Sequence, residues 1–292
     1  MKKRNLTVVL LCLFSILSVN AQLLYKIEKP GNQKPSYIFG THHLAPMTIA
    51  EEKGVTEKID EVDCVVGEID FTQDPMTLAF AMQQYMVAPS DSALSTLFTE
   101  EEYKKIGETF SRWSPQPGVT LEMLDILRPM VITSMMTVKM ATEAMPEFNP
   151  EEQLDLTLLK SGKDKGKEVK GLETPAFQAE MLYTSQPISV QAEDLLDFVN
   201  NPEENLQMAG LLTEAYIKGD LEEMVVLSEK ENTHPEFMEL LLDKRNSIWL
   251  EQIPEIIDSN SSLIVVGALH LPGEKGLLKG LENKGYKVTP VE

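Results

Sequence analysis

"LIVVGALHLPG", Leu263 to Gly273, is the stretch that decides the fold. It is an apolar run of strand length, a glycine, two more residues, a histidine, and a proline close behind. A Leu, Ile and Val run with no polar alternation fits a strand covered on both faces, the habit of parallel sheets. The same plan stands near the other end of the chain, in "YIFGTHHLAP", Tyr37 to Pro46. His42, His43 and His270 in these two stretches are three of the four histidines in 292 residues. Two further segments also end in glycine. "CVVG" runs into Glu68-Ile-Asp70, and "EVKG" into Leu-Glu173-Thr.

Outward from these stretches, "LLYKIEKPGNQKPSYIFGTHH" reads as two short strands joined by a Pro/Gly/Asn turn, a hairpin signal. "EEKGVTEKIDEVDCVVGEIDF" reads as a helix and then a buried strand, Asp63 to Gly67. Strand, helix and strand in that order suggest a parallel crossover unit. From Asp74 to about Ser161 the apolar period changes to 3.6. Pro75 marks one helix start, and Thr99 with Glu102 three residues on forms a capping box. Pro129 is expected to kink or divide "VTLEMLDILRPMVITSMMTVKMATEAM". Its methionines fit a binding surface or plain core filling, and core filling is the simpler reading. A helix, a Gly/Lys-rich turn and a strand at Glu168–Gly171 follow. Three more helices are expected around Val190 to Val199, Glu203 to Ile217 and Pro235 to Ile257, with Pro254 bending or shortening the last. Strand "SLIVVG", a helix from near Lys275 and strand "YKVTPV" close the chain. The expected fold is α/β (α+β). A central mixed, partly parallel sheet is built from the N- and C-terminal segments, within one domain over 22–292. Large helical insertions span about 74–161 and 188–257.

The chain opens with "MKKR", then "LTVVLLCLFSILSV", then "VNA" ending at Ala21. A basic start, a short apolar run and small residues are the plan of an export signal cleaved near Ala21, which implies a periplasmic or extracellular protein. A membrane anchor is the rival, but the run is short for a span. Lipidation at Cys12 lacks the small residues expected around it. No later stretch is apolar enough for stable insertion after the signal is removed. Removal takes away three basic residues and no acid, so the formal charge moves from −20 to −23. Such a surface repels phosphate backbones, so nucleic acid is excluded as a partner, and a peptide or small-molecule substrate is expected. Cys64 alone then remains, and one cysteine forms no internal disulfide.

In open α/β sheets, ligands bind outside the carboxyl ends of the strands. If the four glycine-ended strands run parallel, His43, Glu68, Glu173 and His270 gather on one rim. Two imidazoles and a carboxylate with an open position for water resemble a catalytic zinc site, and extra carboxylate character favours Mn²⁺ or Fe²⁺. His43, Glu68 and His270 would hold the metal, with Glu173 as further ligand or general base. A metal would make hydroxide from bound water at neutral pH. His42 and Asp70 flank these residues and would support them, although His42 also fits a plain exposed turn. Plainer readings stand beside this. A lone strand-end histidine is more often structural, and Glu68 and Glu173 would also serve as helix N-terminal caps. His234, before a proline, has no partner pattern.

These residues resemble the TraB/GumN family, which is related to the TIKI metalloproteases. The family's marks are two G-x-x-H motifs, here Gly40 to His43 and Gly267 to His270, and an acidic residue after the second core strand, here Glu68 in "VVGEID". The first motif reads Thr-His-His where many relatives have one histidine, and the spacing selects His43. Asp155, and "GKEVKGLET" with Gln178 five residues after Glu173, resemble the family's mid-chain segment. "YIKGDLEEM" resembles its Gly-Asp helix segment. "LLDKRNSIWLEQI" resembles its Arg-Asn helix at Arg245 and Asn246, with Trp249 behind. "VVGALHLPGEKGLLKGLENKGYKVTPV" resembles the terminal motif nearly throughout. The resemblance runs from about Leu24 to Val291. It implies a divalent-metal-dependent hydrolase cleaving peptide bonds, with Mn²⁺ or Co²⁺ favoured and Zn²⁺ third. Asp155 and Gln178 would support the metal residues. Arg245 and Asn246 would stabilise the negative charge of a tetrahedral intermediate. Alternatively, Arg245 pairs with Asp155 or a site glutamate and fixes its helix.

Two other readings fit the same residues. The family's distant similarity to erythromycin-esterase-like hydrolases implies a metal-free site in which His and Glu activate water. The pheromone-shutdown members imply a protein that binds and sequesters a peptide without turnover.

Overall fold

Six short strands form one twisted layer in the computed structural model: β1 Leu24–Glu28, β2 Ser36–Thr41, β3 Cys64–Gly67, β4 Glu168–Gly171, β5 Ser262–Gly267 and β6 Lys287–Pro290. The structure describes residues 22–291, apart from Gln33, Pro146, Asn232 and Thr233. The export-signal reading of Met1–Ala21, with its cleavage point, lies outside these residues.

The sheet order is β4-β3-β5-β2-β1-β6. β2, β3, β4 and β5 are mutually parallel, β1 is antiparallel to β2, and β6 is antiparallel to β1. The sheet is therefore mixed, with N-terminal strands interleaved with C-terminal ones. β1 and β2 form the expected hairpin, with Leu24 opposite Phe39 and Ile27 opposite Ser36. The unbroken apolar run of β5 places it in the middle, between β3 and β2, covered on both faces. β4 and β6 lie at the edges with exposed ends and lysines along them, which discourages further strand pairing. Helices lie against the sheet, and its core joins Phe39, Val65 and Val265 to Leu158 and Trp249.

The helical insertion has its own core, with Ile106, Phe110 and Trp113 packed against Met136, Met140 and Leu195. Thr99 and Glu102 form the capping box of helix Glu100–Trp113. Pro129 divides its stretch as expected, standing at the first position of helix Pro129–Ala144. Met136 and Met140 are buried there, so these methionines are core filling. Helices Pro175–Thr184 and Leu221–Glu231, and the short turns Thr48–Glu52 and Leu94–Leu97, are not among the helices expected from periodicity. The last long helix also differs. A short α turn Pro235–Met238 runs into a π-helical segment Glu239–Lys244 and then into helix Arg245–Ser259. Pro254 does not end that helix. Burial of Trp249, Ile253 and Ile257 on its inner face outweighs the roughly 3 kcal/mol cost of an internal proline. Among the described residues, no helix is long and apolar enough to cross a membrane. Cys64 is a buried free thiol whose pKa burial pushes up to about 11.

Candidate functional site

The parallel ladder decides which side chains meet. Thr41 of β2 lies beside Gly267 of β5, and Gly67 of β3 lies between Val265 of β5 and Gly171 of β4. All four strands therefore end on one rim, and the residues after each glycine rise from it. The ladder continues past β3 and β4, because Glu173 N–H donates to the Glu68 carbonyl at 2.9 Å. That pairing sets two carboxylates next to each other in a buried place. Like charges so placed need a cation between them.

Arg245 supplies it from the first turn of helix Arg245–Ser259. Nε donates to Glu173 Oε2 at 3.1 Å, and Nη2 donates to Glu173 Oε1 at 2.6 Å and to Glu68 Oε2 at 2.5 Å. Nη1 donates to the Leu241 carbonyl at 3.1 Å and meets His270 Nε2 at 3.2 Å. All the guanidinium N–H groups are engaged. Trp249, one turn along the same helix, stacks 4.6 Å from the guanidinium, lies 4.4 Å from the His270 ring, and donates Nε1–H to Glu173 Oε2 at 3.2 Å. Gln178, from helix Pro175–Thr184, donates to Glu68 Oε2 at 2.9 Å and to Glu173 Oε1 at 3.1 Å. The helix cap beside Glu173 is Thr174, which accepts from Phe177 N–H.

His270 sits on the short turn after β5. Asn246 Nδ2 donates to the carbonyls of His270 at 3.2 Å and of Lys275 at 3.0 Å, which fixes the amide's orientation. Its oxygen therefore faces His270 Nδ1 at 2.7 Å, so Nδ1 carries the hydrogen and Nε2 accepts from Arg245. Burial lowers the His270 pKa to about 4, so the ring is neutral at neutral pH. Burial alone would raise Glu68, but His270, Arg245 and the Gly267 N–H overcome it and hold the carboxyl down at about 2. That N–H lies 2.8 Å from Glu68 Oε1, and a Cβ on Gly267 would stand 3.3 Å from the same oxygen. The glycines at the strand ends serve close approach and not sharp turning, since none of Gly40, Gly67, Gly171 and Gly267 has positive φ. Burial pushes the Glu173 pKa up against the opposing pull of Arg245.

His43 stands at the solvent side, its side chain 68% exposed, with Nδ1 3.4 Å from Asp155 Oδ2. The Asp155 carboxylate raises the His43 pKa to about 9, so this imidazole is protonated at neutral pH. Asp155 Oδ1 accepts from Thr41 Oγ1 at 2.8 Å, while its buried Oδ2 has no hydrogen bond. His42 has different partners. Its Nε2 is 3.0 Å from Thr213 Oγ1, its ring is 5.5 Å from Tyr216, and burial lowers its pKa to about 4. Asp70 stands apart, its carboxylate accepting from the N–H and hydroxyl of Thr72 at 2.8 and 2.6 Å. His234 lies 2.9 Å from Asp194.

A cavity of about 170 Å³ opens between His43, Glu68, Asp155, Gln178 and Arg245. A larger groove of about 510 Å³ lies by Val225, Met238 and Leu242, with none of these converging groups. The smaller cavity is therefore the candidate site. Thr41, the Gly267 N–H and the Leu241 carbonyl went unread in the sequence. Trp249 had a signal, since it stands four residues after Arg245 and so shares its helix face.

His43, Glu68 and His270 do not fit one ion as arranged, because Arg245 bridges Glu68 Oε2 and His270 Nε2. Among the described residues, no group of three or more His, Cys, Asp or Glu side chains is placed to hold a metal.

The fold and site define an α/β protein whose strand-end carboxylates and imidazole are tied together by a helix-borne arginine. The family model described as the TraB/PrgY/gumN family matches residues 23–290, and the chain belongs to that family. No curated protein and no solved structure matches it.

Proposed function

We propose that this protein is an exported hydrolase of peptide bonds that activates water at Glu68. The observation carrying this reading is that a carboxylate, Glu68, and a solvent-facing imidazole, His43, stand on the walls of one cavity, with the first pKa held low and the second raised. Glu68 takes the proton as water adds to the substrate carbonyl. His43 gives its proton to the departing amine, and Asp155 holds it in place. Arg245 keeps Glu68 ionised and oriented, so it is a positioning residue here. Its engaged N–H groups favour the pairing role over the stabilisation of an oxyanion. Export is supported by the basic and apolar order of Met1–Ala21.

A second reading keeps a divalent ion, Mn²⁺ or Co²⁺ ahead of Zn²⁺. It is favoured by Asp155 Oδ2, a buried carboxylate oxygen without a hydrogen bond, beside His43. The test is cleavage of a peptide library by the wild type, Glu68→Gln and His43→Ala, with and without chelation. Turnover that survives chelation and is lost in Glu68→Gln supports the first reading. Turnover lost on chelation and restored by Mn²⁺ supports the second. Peptide capture without turnover in the wild type means a binding protein.

A further inference from the structure

Besides the polar groups, the same cavity has an apolar lining. Phe71 comes from the loop after β3, Met181 and Leu182 from helix Pro175–Thr184, and Leu241 from the π-helical segment before Arg245. All four are half-buried, so each packs on the protein and still shows a face to the cavity. The volume, about 170 Å³, is well below the roughly 300–1,000 Å³ of sites that enclose a whole ligand. It suits one substituent of a larger substrate. A charged substituent seated against the apolar wall would lose its water there without gaining a hydrogen-bond partner from Phe71, Met181, Leu182 or Leu241.

We infer that Phe71, Met181, Leu182 and Leu241 form a specificity pocket that selects peptides carrying one medium-sized apolar side chain at the reacting bond. This rests on the peptide-hydrolase reading and adds the substrate class to it. The pocket is built from the elements that also carry the polar groups: Phe71 lies three residues after Glu68, Met181 three after Gln178, and Leu241 four before Arg245. A side chain seated on this wall therefore holds its own backbone carbonyl beside Glu68 and His43. The acidic chain disfavours acidic peptides further.

The experiment presents the peptides Ala-Ala-Xaa-Ala-Ala-amide, with Xaa Gly, Ala, Leu, Met, Phe, Asp or Lys, to the purified protein. Cleavage is read by mass spectrometry and binding by calorimetry. Leu, Met and Phe are expected to exceed Gly, Asp and Lys by roughly ten- to a hundredfold, the worth of burying one such side chain. Leu182→Trp fills the pocket and shifts preference to Gly and Ala. Met181→Trp does the same from the neighbouring position if Leu182→Trp does not fold. Cleavage with no side-chain preference, or with a preference that neither variant moves, overturns the pocket and leaves the hydrolase reading standing. Selective binding of the Leu, Met and Phe peptides without cleavage supports the pocket and removes the hydrolase reading. Neither binding nor cleavage of any peptide overturns the pocket.

Discussion

Arg245 meets Glu173 through two parallel hydrogen bonds, Nε to Oε2 at 3.1 Å and Nη2 to Oε1 at 2.6 Å. Both side chains are almost wholly withdrawn from solvent, at 8% and 3% exposure. Such a pair gains its strength from mutual dependence, since either charge alone is stranded. Glu173→Gln should destabilise the fold by about 3 kcal/mol, near the lower end of the cost of breaking a buried ion pair. The urea midpoint measures it. A variant as stable as the wild type would show that Glu68 and the Leu241 carbonyl suffice to hold the guanidinium.

Asn246 fixes the tautomer of His270 through the 2.7 Å contact to Nδ1. Asn246→Asp puts a negative charge there and should raise the His270 pKa from about 4, while Asn246→Ala should cost about 1–3 kcal/mol by leaving buried partners unmet. Imidazole proton NMR across a pH titration reads the first effect. An unmoved His270 resonance in Asn246→Asp counts against the assigned tautomer.

Stability should peak near neutral pH and fall on both sides. Burial holds His42 and His270 at about 4, below the usual 6.5, so the unfolded chain takes up protons that the folded chain refuses. Their contribution is therefore lost as pH falls from about 6.5 towards 4. Glu68, held at about 2 against a usual 4.5, adds a loss as pH falls from 4.5 towards 2. His43 acts in the other direction. Its raised pKa stabilises the fold below 6.5, and that help is lost as pH rises through about 9. Urea midpoints at a series of pH values test this, and His42→Gln should flatten the slope between about 6.5 and 4. A wild-type midpoint that stays level across that window contradicts it.

Gly40 is a packing requirement at the end of β2. A Cβ there would come 2.7 Å from Leu271 Cδ1 and 3.0 Å from the Ala268 backbone, while the Gly40 carbonyl accepts from Tyr216 at 2.8 Å. Gly40→Ala should therefore cost about 1–3 kcal/mol, as overpacking does. Thermal unfolding of the variant is the check, and an unchanged midpoint would mean that the turn at Ala268 yields freely.

The sheet was legible because its strands advertise themselves. The apolar runs of β2, β3 and β5 end in glycine, and parallel strands that cross over must end on the same rim. The hairpin, the Thr99 capping box and the division at Pro129 each had a local signature. The arginine cluster was legible only in part, since Arg245 pairing with a glutamate was one of two open readings. That it takes both Glu68 and Glu173 depends on the register between β3 and β4, and no short window of sequence contains that. Asp70 looked like a member of the cluster by proximity to Glu68, but two residues along a turning chain are enough to send its carboxylate to Thr72. The apolar wall could not be read either, because Phe71, Met181 and Leu241 lie in segments that meet only in the folded chain.

The wide winding at Glu239–Lys244 lies directly before Arg245. A π turn takes up about one residue more than an α turn, so it behaves as a splice in which one residue is surplus to the helical phase. Loss of a single residue within that window would let the coil tighten to ordinary pitch while Arg245, Asn246 and Trp249 kept their bearing. The segment entering the site can thus vary in length over evolutionary time without turning the arginine away from its two carboxylates.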